Sequence, residues 1–351
     1  MAEILVIYIH ISGFFTLDYI FLSLLIGFQV EWRNRAADAR SLPFLTGYLA
    51  TFSMFTAAIM GHIAGWILEY GDYPRVIGAY ARMMGEKPGE LKGNMINAHS
   101  HLMIVALLAL ILSMSALRFG YQNLSGGPRL TSRVGFLFVL AGTGIITFVY
   151  ILSGFTLIQP PVWFQFGRNG VNGIASDDVI SGVSIMLGGL LVFLSLLAGN
   201  RGITPRPNRL QPALTAIGFA WLLLVLTVVG GGFWIELHEQ WFGAGAKAPL
   251  AAADAVFTFF HQDFAFFLLP AVILLLLMAD IYLPSRKIGF FASGMVIGSL
   301  VTFLGGMLYV FVDPMTVYGA GYFITGYGFL IIAFMAVFFL RELFRMHKSY
   351  K

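Results

Sequence analysis

The sequence predicts an all-α integral membrane protein, a single transmembrane domain over residues 1–351 with about nine spanning helices. Three observations carry this. Hydrophobic residues make up 58% of the chain and charged residues only 11%. Mean hydropathy is +0.83, far outside soluble usage. The apolar residues also fall in runs of about 20, the length a hydrocarbon core of ~30 Å requires. Backbone polar groups in lipid must be satisfied within the segment, so these runs are expected to be helices.

In chain order the runs lie near 3–30, 44–69, 98–119, 133–158, 179–199, 211–233, 252–279, 288–311 and 321–340. The first and seventh are long enough to tilt or to extend past the bilayer. The abundant Phe (34) and Gly (40) suit packed membrane helices, and Gly61, Gly65, Gly305 and Gly306 read as points of close helix approach. No soluble domain or internal repeat stands out. The N-terminus lacks a basic n-region and its apolar stretch exceeds an h-region, so no cleavable signal peptide is expected.

Charge gives the expected orientation. Counting spans from the N-terminus, Arg33, Arg35, Arg40, Arg118, Arg129, Arg133, Arg201, Arg206, Arg209, Arg286, Lys287, Arg341, Arg345, Lys348 and Lys351 share one side. Arg75, Arg82, Lys87, Lys92, Arg168 and Lys247 share the other. The positive-inside rule makes the richer side cytoplasmic. The N-terminus is then outside, the C-terminus inside, and the long loops Tyr70–Asn97, Gln159–Asp178 and Trp234–Ala251 outside. The expected location is the cytoplasmic membrane, with lipid as surroundings. The basic residues are spread among loops, which gives no nucleic-acid signal.

The histidines cluster in depth. Asn97 to Met103 reads N-A-H-S-H-L-M and opens the third run. On a helix His99 and His101, at i and i+2, point about 200° apart, so one helix can serve a group on each side. Met103 shares the face of His99. His10, His62 and His261 lie in other runs, and all five histidines fall roughly 5–15 Å from the outer ends of their helices. Imidazoles converging in one leaflet suit membrane haem b, whose iron takes axial histidine and whose macrocycle fits between helices. The other reading of each histidine is an interhelical hydrogen bond or an interfacial ring wetted by headgroup water. With no cysteine, thiolate-ligated or covalently attached haem and iron–sulfur clusters are excluded within this chain. Copper or di-iron sites would want more carboxylates.

Further polar groups are candidates for quinol and proton chemistry. Asp254 precedes His261 by seven residues on the same face, and Asp263 follows it by two. Asp18 is mid-membrane, and reads either as part of a proton path or as a buried, protonated carboxyl. Glu236, His238 and Glu239, between Trp234 and Trp241, could accept protons from a quinol at the outer surface or form an interfacial amphipathic turn.

The chain resembles subunit I of the cytochrome bd quinol oxidases. Tyr8-Ile9-His10 and its apolar run are similar to that family's first helix, which carries a haem-ligating histidine. Tyr150-Ile151-Leu152 followed by Gln159-Pro160-Pro161 looks like the family's W-I-L…Q-N-P. Asp313-Pro314-Met315-Thr316-Val317-Tyr318-Gly319 sits where the family has G-R-Q-P-W. The resemblance implies nine helices, an outer N-terminus and haems near the outer leaflet. Of the family's ligands only His10 carries over by position. The glutamate before G-R-Q-P-W falls on Tyr309, the helix 5 histidine on Asp177, and the helix 7 methionine near His261. The helix 3 glutamates have no match around His99–Met103. The H-x-H pair is also similar to that of haem-copper oxidases, whose copper-site histidines are missing here.

The expectation is therefore a b-type cytochrome subunit of a respiratory complex, with two haem b groups near the outer leaflet. His99 and His101 would each serve one, opposite partners among His10, His62 and His261. It would move electrons between a membrane quinol and oxygen or an outer-side partner such as a cytochrome or iron–sulfur protein. Whether the chain is an oxidoreductase in its own right stays open, since oxygen reduction needs an open axial position. The alternatives are a proton-coupled transporter, which would call for broken helices and paired repeats, and a structural anchor subunit.

Overall fold

The computed structural model describes residues 41–69, 88–151, 165–166, 174–199, 207–230, 268–278, 285–311 and 319–349, with isolated positions between 19 and 29. Eight helices run through them: α1 Leu42–Glu69, α2 Pro88–Arg118, α3 Gly126–Ile151, α4 Ser176–Gly199, α5 Pro207–Val225, α6 Leu268–Met278, α7 Ser285–Phe311 and α8 Ala320–Ser349. Apart from a two-residue antiparallel ribbon, β1 Gln165–Phe166 with β2 Ile174–Ala175, the regular structure among the described residues is helical.

Seven segments are long and apolar enough to cross a membrane: Leu42–Gly61, Ala98–Arg118, Gly126–Ile151, Ile180–Gly199, Gln211–Gly230, Arg286–Tyr309 and Ala320–Arg345. They coincide with seven of the expected runs. Of the 252–279 run, the described part is the shorter apolar α6, and the 3–30 run lies outside the described helices. α8 bears Phe323, Tyr327, Leu330, Phe334, Val337 and Phe344 exposed along one stripe. Steps of four and three keep them on one face, a contiguous apolar surface that water would not tolerate and lipid does. The chain is an all-α, multi-pass membrane protein.

Helix starts follow the prolines. Pro88 and Pro207 open α2 and α5, and Pro43 and Pro128 fall within the first three residues of α1 and α3. There the missing N–H is one that has no intrahelical partner in any case. The seven spanning helices begin earlier than their apolar runs, α2 and α3 by the most. α3 starts at Gly126 rather than 133, and α2 at Pro88 rather than 98. Hydropathy marks only the part in lipid, whereas an established helix extends into polar sequence at little cost. His99 is accordingly not in the first turn of its helix. Eleven residues of α2 precede it, although it stands one residue into the span.

By contacts the chain divides into two compact units, Met1–Ser113 with Phe136–Gly188, and Met114–Gly135 with Gly189–Lys351. In the first, α1 and α2 are tied twice. Ser113 donates its hydroxyl to the Pro43 carbonyl at 2.6 Å, and His99 meets the Ala57 carbonyl at 2.7 Å. The ties are fourteen residues apart on both helices (43 to 57, 113 to 99), two heptads, or about 21 Å of helix. A heptad-spaced contact between antiparallel helices is the left-handed ~20° packing common in bundles. Ser53 and Thr147 join α1 to α3 through buried hydroxyls 2.6 Å apart.

In the second unit α7 and α8 pack through glycine. A Cβ added at Gly305, Gly321 or Gly328 would strike backbone of the opposite helix, so there the two backbones touch without intervening side chains. Thr302 meets Gly328, Gly305 meets Thr325 and Tyr309 meets Gly321, again in steps of three and four. The same register brings Lys287, near the start of α7, to Glu342, near the end of α8, at 2.5 Å; Arg345 adds a second cation at 3.0 Å. Glu342 is only 4% exposed, so two cations are what make its burial tolerable. Gly189 of α4 gives up its side-chain space to the Trp221 indole of α5, which is 1% exposed. Arg118, the last residue of α2, donates to the Leu276 carbonyl at 2.8 Å.

Candidate functional site

The most constrained polar side chain among the expected ligands is His99. A carbonyl oxygen only accepts, so the 2.7 Å contact to Ala57 requires a proton on His99 Nδ1, which donates. In the neutral ring the lone pair is then on Nε2. The ring is also held sterically. A Cβ added at Gly61 would fall 2.5 Å from His99 Cε1 and Nδ1 and 3.0 Å from Cγ. Ala57 and Gly61, one turn apart on α1, thus form a notch that only a missing side chain provides: one residue orients the imidazole, the other makes room for it.

His101 faces a different neighbour. It stacks on Tyr150 of α3, with ring centroids 5.1 Å apart and planes 15° apart. The i, i+2 spacing therefore sends the two imidazoles to two different helices, α1 and α3. Tyr150 is buried, so the stack fixes the plane of His101 inside the first unit.

One turn further along, the Ser53–Thr147 pair lies on the same faces of α1 and α3 as Ala57 and Tyr150. Ser53 Oγ is 2.8 Å from the Leu49 carbonyl and Thr147 Oγ1 is 2.6 Å from the Thr143 carbonyl. Each hydroxyl has one proton, so one donates across to its partner while the other donates to its own helix. The pair is a polar tie with two proton arrangements.

The remaining candidates divide sharply. Met103, expected on the face of His99, is half-buried on α2. His62 lies on α1, with its side chain outside the described set. His10, His261, Asp18, Glu236, His238, Glu239, Asp254 and Asp263 lie outside the described residues. Among the described residues, no three His, Asp or Glu side chains converge on a point that could hold a metal ion. His99 and His101 do not converge either, since each addresses its own helix.

Sequence reasoning by itself misses Ala57, Ser53 and Thr147 altogether, treats Gly61 as packing alone, and treats Tyr150 as a piece of motif. A small residue four before Gly61 and a polar residue four before Ala57 form an i, i+4 row, the one signal that could point to them.

Fold and site together define a helical multi-pass membrane protein with oriented histidines inside a three-helix cluster. No known protein family matches the chain, and neither any curated protein nor any solved structure matches it.

Proposed function

We propose that the chain is a membrane b-type cytochrome subunit of a respiratory complex in the cytoplasmic membrane, related to cytochrome bd. It has about nine spans, the N-terminus outside and the C-terminus inside. In this reading it transfers electrons between a membrane quinol and oxygen or an outer-side redox protein. The observation that carries it is the His99 contact. Axial histidines ordinarily bind iron through one ring nitrogen while the other donates to a carbonyl or carboxylate, which fixes the tautomer and raises ligand basicity. His99 donates from Nδ1 to Ala57 and so keeps the Nε2 lone pair for a metal. The donor chemistry fits haem b.

His99 would hold one haem and His101 another, with His10, His62, His261 and Met103 as the remaining candidate ligands. Haem b, when bound, supplies one-electron redox chemistry. The chain's own part is to orient and to exclude. Ala57 and Gly61 set the His99 ring, Tyr150 sets the plane of His101, and the apolar helices keep water away. Glu236, His238 and Glu239 would take up protons released by a quinol at the outer surface, with Asp18, Asp254 and Asp263 as further proton-holding groups.

A second reading has one observation in its favour. Both described histidines already have packing partners, Ala57 and Tyr150, as they would in a structural anchor subunit. A pyridine-haemochrome assay with a reduced-minus-oxidised spectrum of the purified protein separates the two. The cytochrome reading expects two haem b per chain, one lost in His99→Ala and one in His101→Ala. A protein without Soret or α-band absorbance eliminates it and leaves the anchor. Carbon monoxide binding to the reduced form would mark an oxygen-reacting haem rather than a relay.

A further inference from the structure

Between α5 and α7, inside the second unit, a groove of about 760 Å³ opens to the surface. Its walls are Gln211, Pro212, Thr215 and Ala216 on α5 and Ala292, Ser293, Val296 and Ile297 on α7. That volume is within the ~300–1,000 Å³ typical of small-ligand clefts. Thr215 donates its hydroxyl back to the Gln211 carbonyl at 3.0 Å, so this hydroxyl asks for no polar partner.

Arg286 is the first residue of its membrane-spanning segment, and the groove residues of α7, Ala292 to Ile297, lie inward of it along the helix. Arg286, Gly289, Ser293 and Val296 follow one another at heptad-type spacing on one face of α7. A Cβ at Gly289 would meet nothing within 4 Å, so this face is open between the cation and the groove. Arg286 is exposed, whereas its neighbour Lys287 is engaged by Glu342.

We propose that this groove binds one anionic phospholipid, with an acyl chain between α5 and α7 and the headgroup phosphate on Arg286. Length selects a lipid. From Arg286 to Ile297 the helix rises about 16 Å, roughly half of the ~30 Å hydrocarbon core and therefore one leaflet. A partner transmembrane helix would use both leaflets. Charge selects an anionic headgroup: guanidinium pairs with phosphate in a bidentate fork, and a lipid whose phosphate has no cation of its own gains most from it.

The test is native mass spectrometry of the full chain, delipidated in detergent and titrated with phosphatidylglycerol or phosphatidylcholine of identical chains. Wild type should hold phosphatidylglycerol about fivefold more tightly, the effect of one basic residue near the interface. Arg286→Gln should bring the two lipids level. Ser293→Phe, at an exposed groove position, should weaken both while preserving their ratio. Arg133→Gln, which removes an exposed cation elsewhere, should change neither. Equal affinities in wild type, a preference that survives Arg286→Gln, full binding in Ser293→Phe, or a loss in Arg133→Gln matching that in Arg286→Gln would each overturn the proposal.

Discussion

Placing one methyl group at Gly61 tests the geometry on which the site depends. In Gly61→Ala the new Cβ would lie 2.5 Å from His99 Cε1 and Nδ1. Ordinary carbon contacts are ~3.5–4.0 Å, so the ring must withdraw by about 1 Å. A 2.7 Å hydrogen bond to Ala57 then lengthens to the edge of bonding range. In membrane proteins such bonds average about 0.6 kcal/mol and reach about 1.7. Overpacking adds about 1–3 kcal/mol, and the better helix propensity of alanine returns up to about 1 kcal/mol. The net expectation is a loss of roughly 1–3 kcal/mol.

His99→Ala alone should cost a similar amount, through the lost bond and the vacated space. In the double variant the methyl of residue 61 enters that space and the clash disappears. It should be no less stable than His99→Ala, a coupling of about 2 kcal/mol between the two sites. Equilibrium unfolding in mixed micelles titrated with dodecyl sulfate, followed by circular dichroism, gives all four corners of the cycle. Additive effects within about 0.5 kcal/mol would mean that Gly61 does not seat His99, and the reasoning would fail.

Two further predictions use the α7–α8 pair. Gly328→Ala presses on the Thr302 backbone and the Gly298 carbonyl and should cost about 1–3 kcal/mol, whereas Gly294→Ala meets the flexible Met335 side chain first and should cost less than about 1 kcal/mol; equal losses by thermal melting would argue against backbone contact. Lys287→Ala leaves Glu342 its Arg345 partner, while Glu342→Ala strands both cations. Because both cations are substantially exposed, Lys287→Ala should cost no more than about 1 kcal/mol and weaken with added salt, and Glu342→Gln, which keeps the shape, should separate charge from packing. A Lys287→Ala loss insensitive to salt would show that the contact is not electrostatic.

Part of the site is legible in the amino-acid sequence. The spacing of His99 and His101 requires opposite faces, because a helix turns 100° per residue whatever surrounds it. Their partners are not legible. The Ala57 acceptor is a backbone carbonyl, which every residue carries, and nothing in a sequence distinguishes the one that a histidine will choose. Gly61 shows the same limit: a glycine announces that something comes close, not what. Tyr150 could equally have faced lipid, and only the packing of α3 beside α2 turns it onto His101.

What the chain by itself determined is the class of fold and the positions of seven spans. Apolar runs of bilayer length must close their backbone hydrogen bonds internally, a local requirement that needs no knowledge of neighbours. What only the tertiary structure decided is the register between helices: Ser113 on Pro43 and His99 on Ala57, Thr302 on Gly328, Lys287 on Glu342. Register is set by which small residues let two backbones meet and by where a polar atom finds its one complement. Both are properties of pairs of surfaces, and no single run of sequence contains a pair.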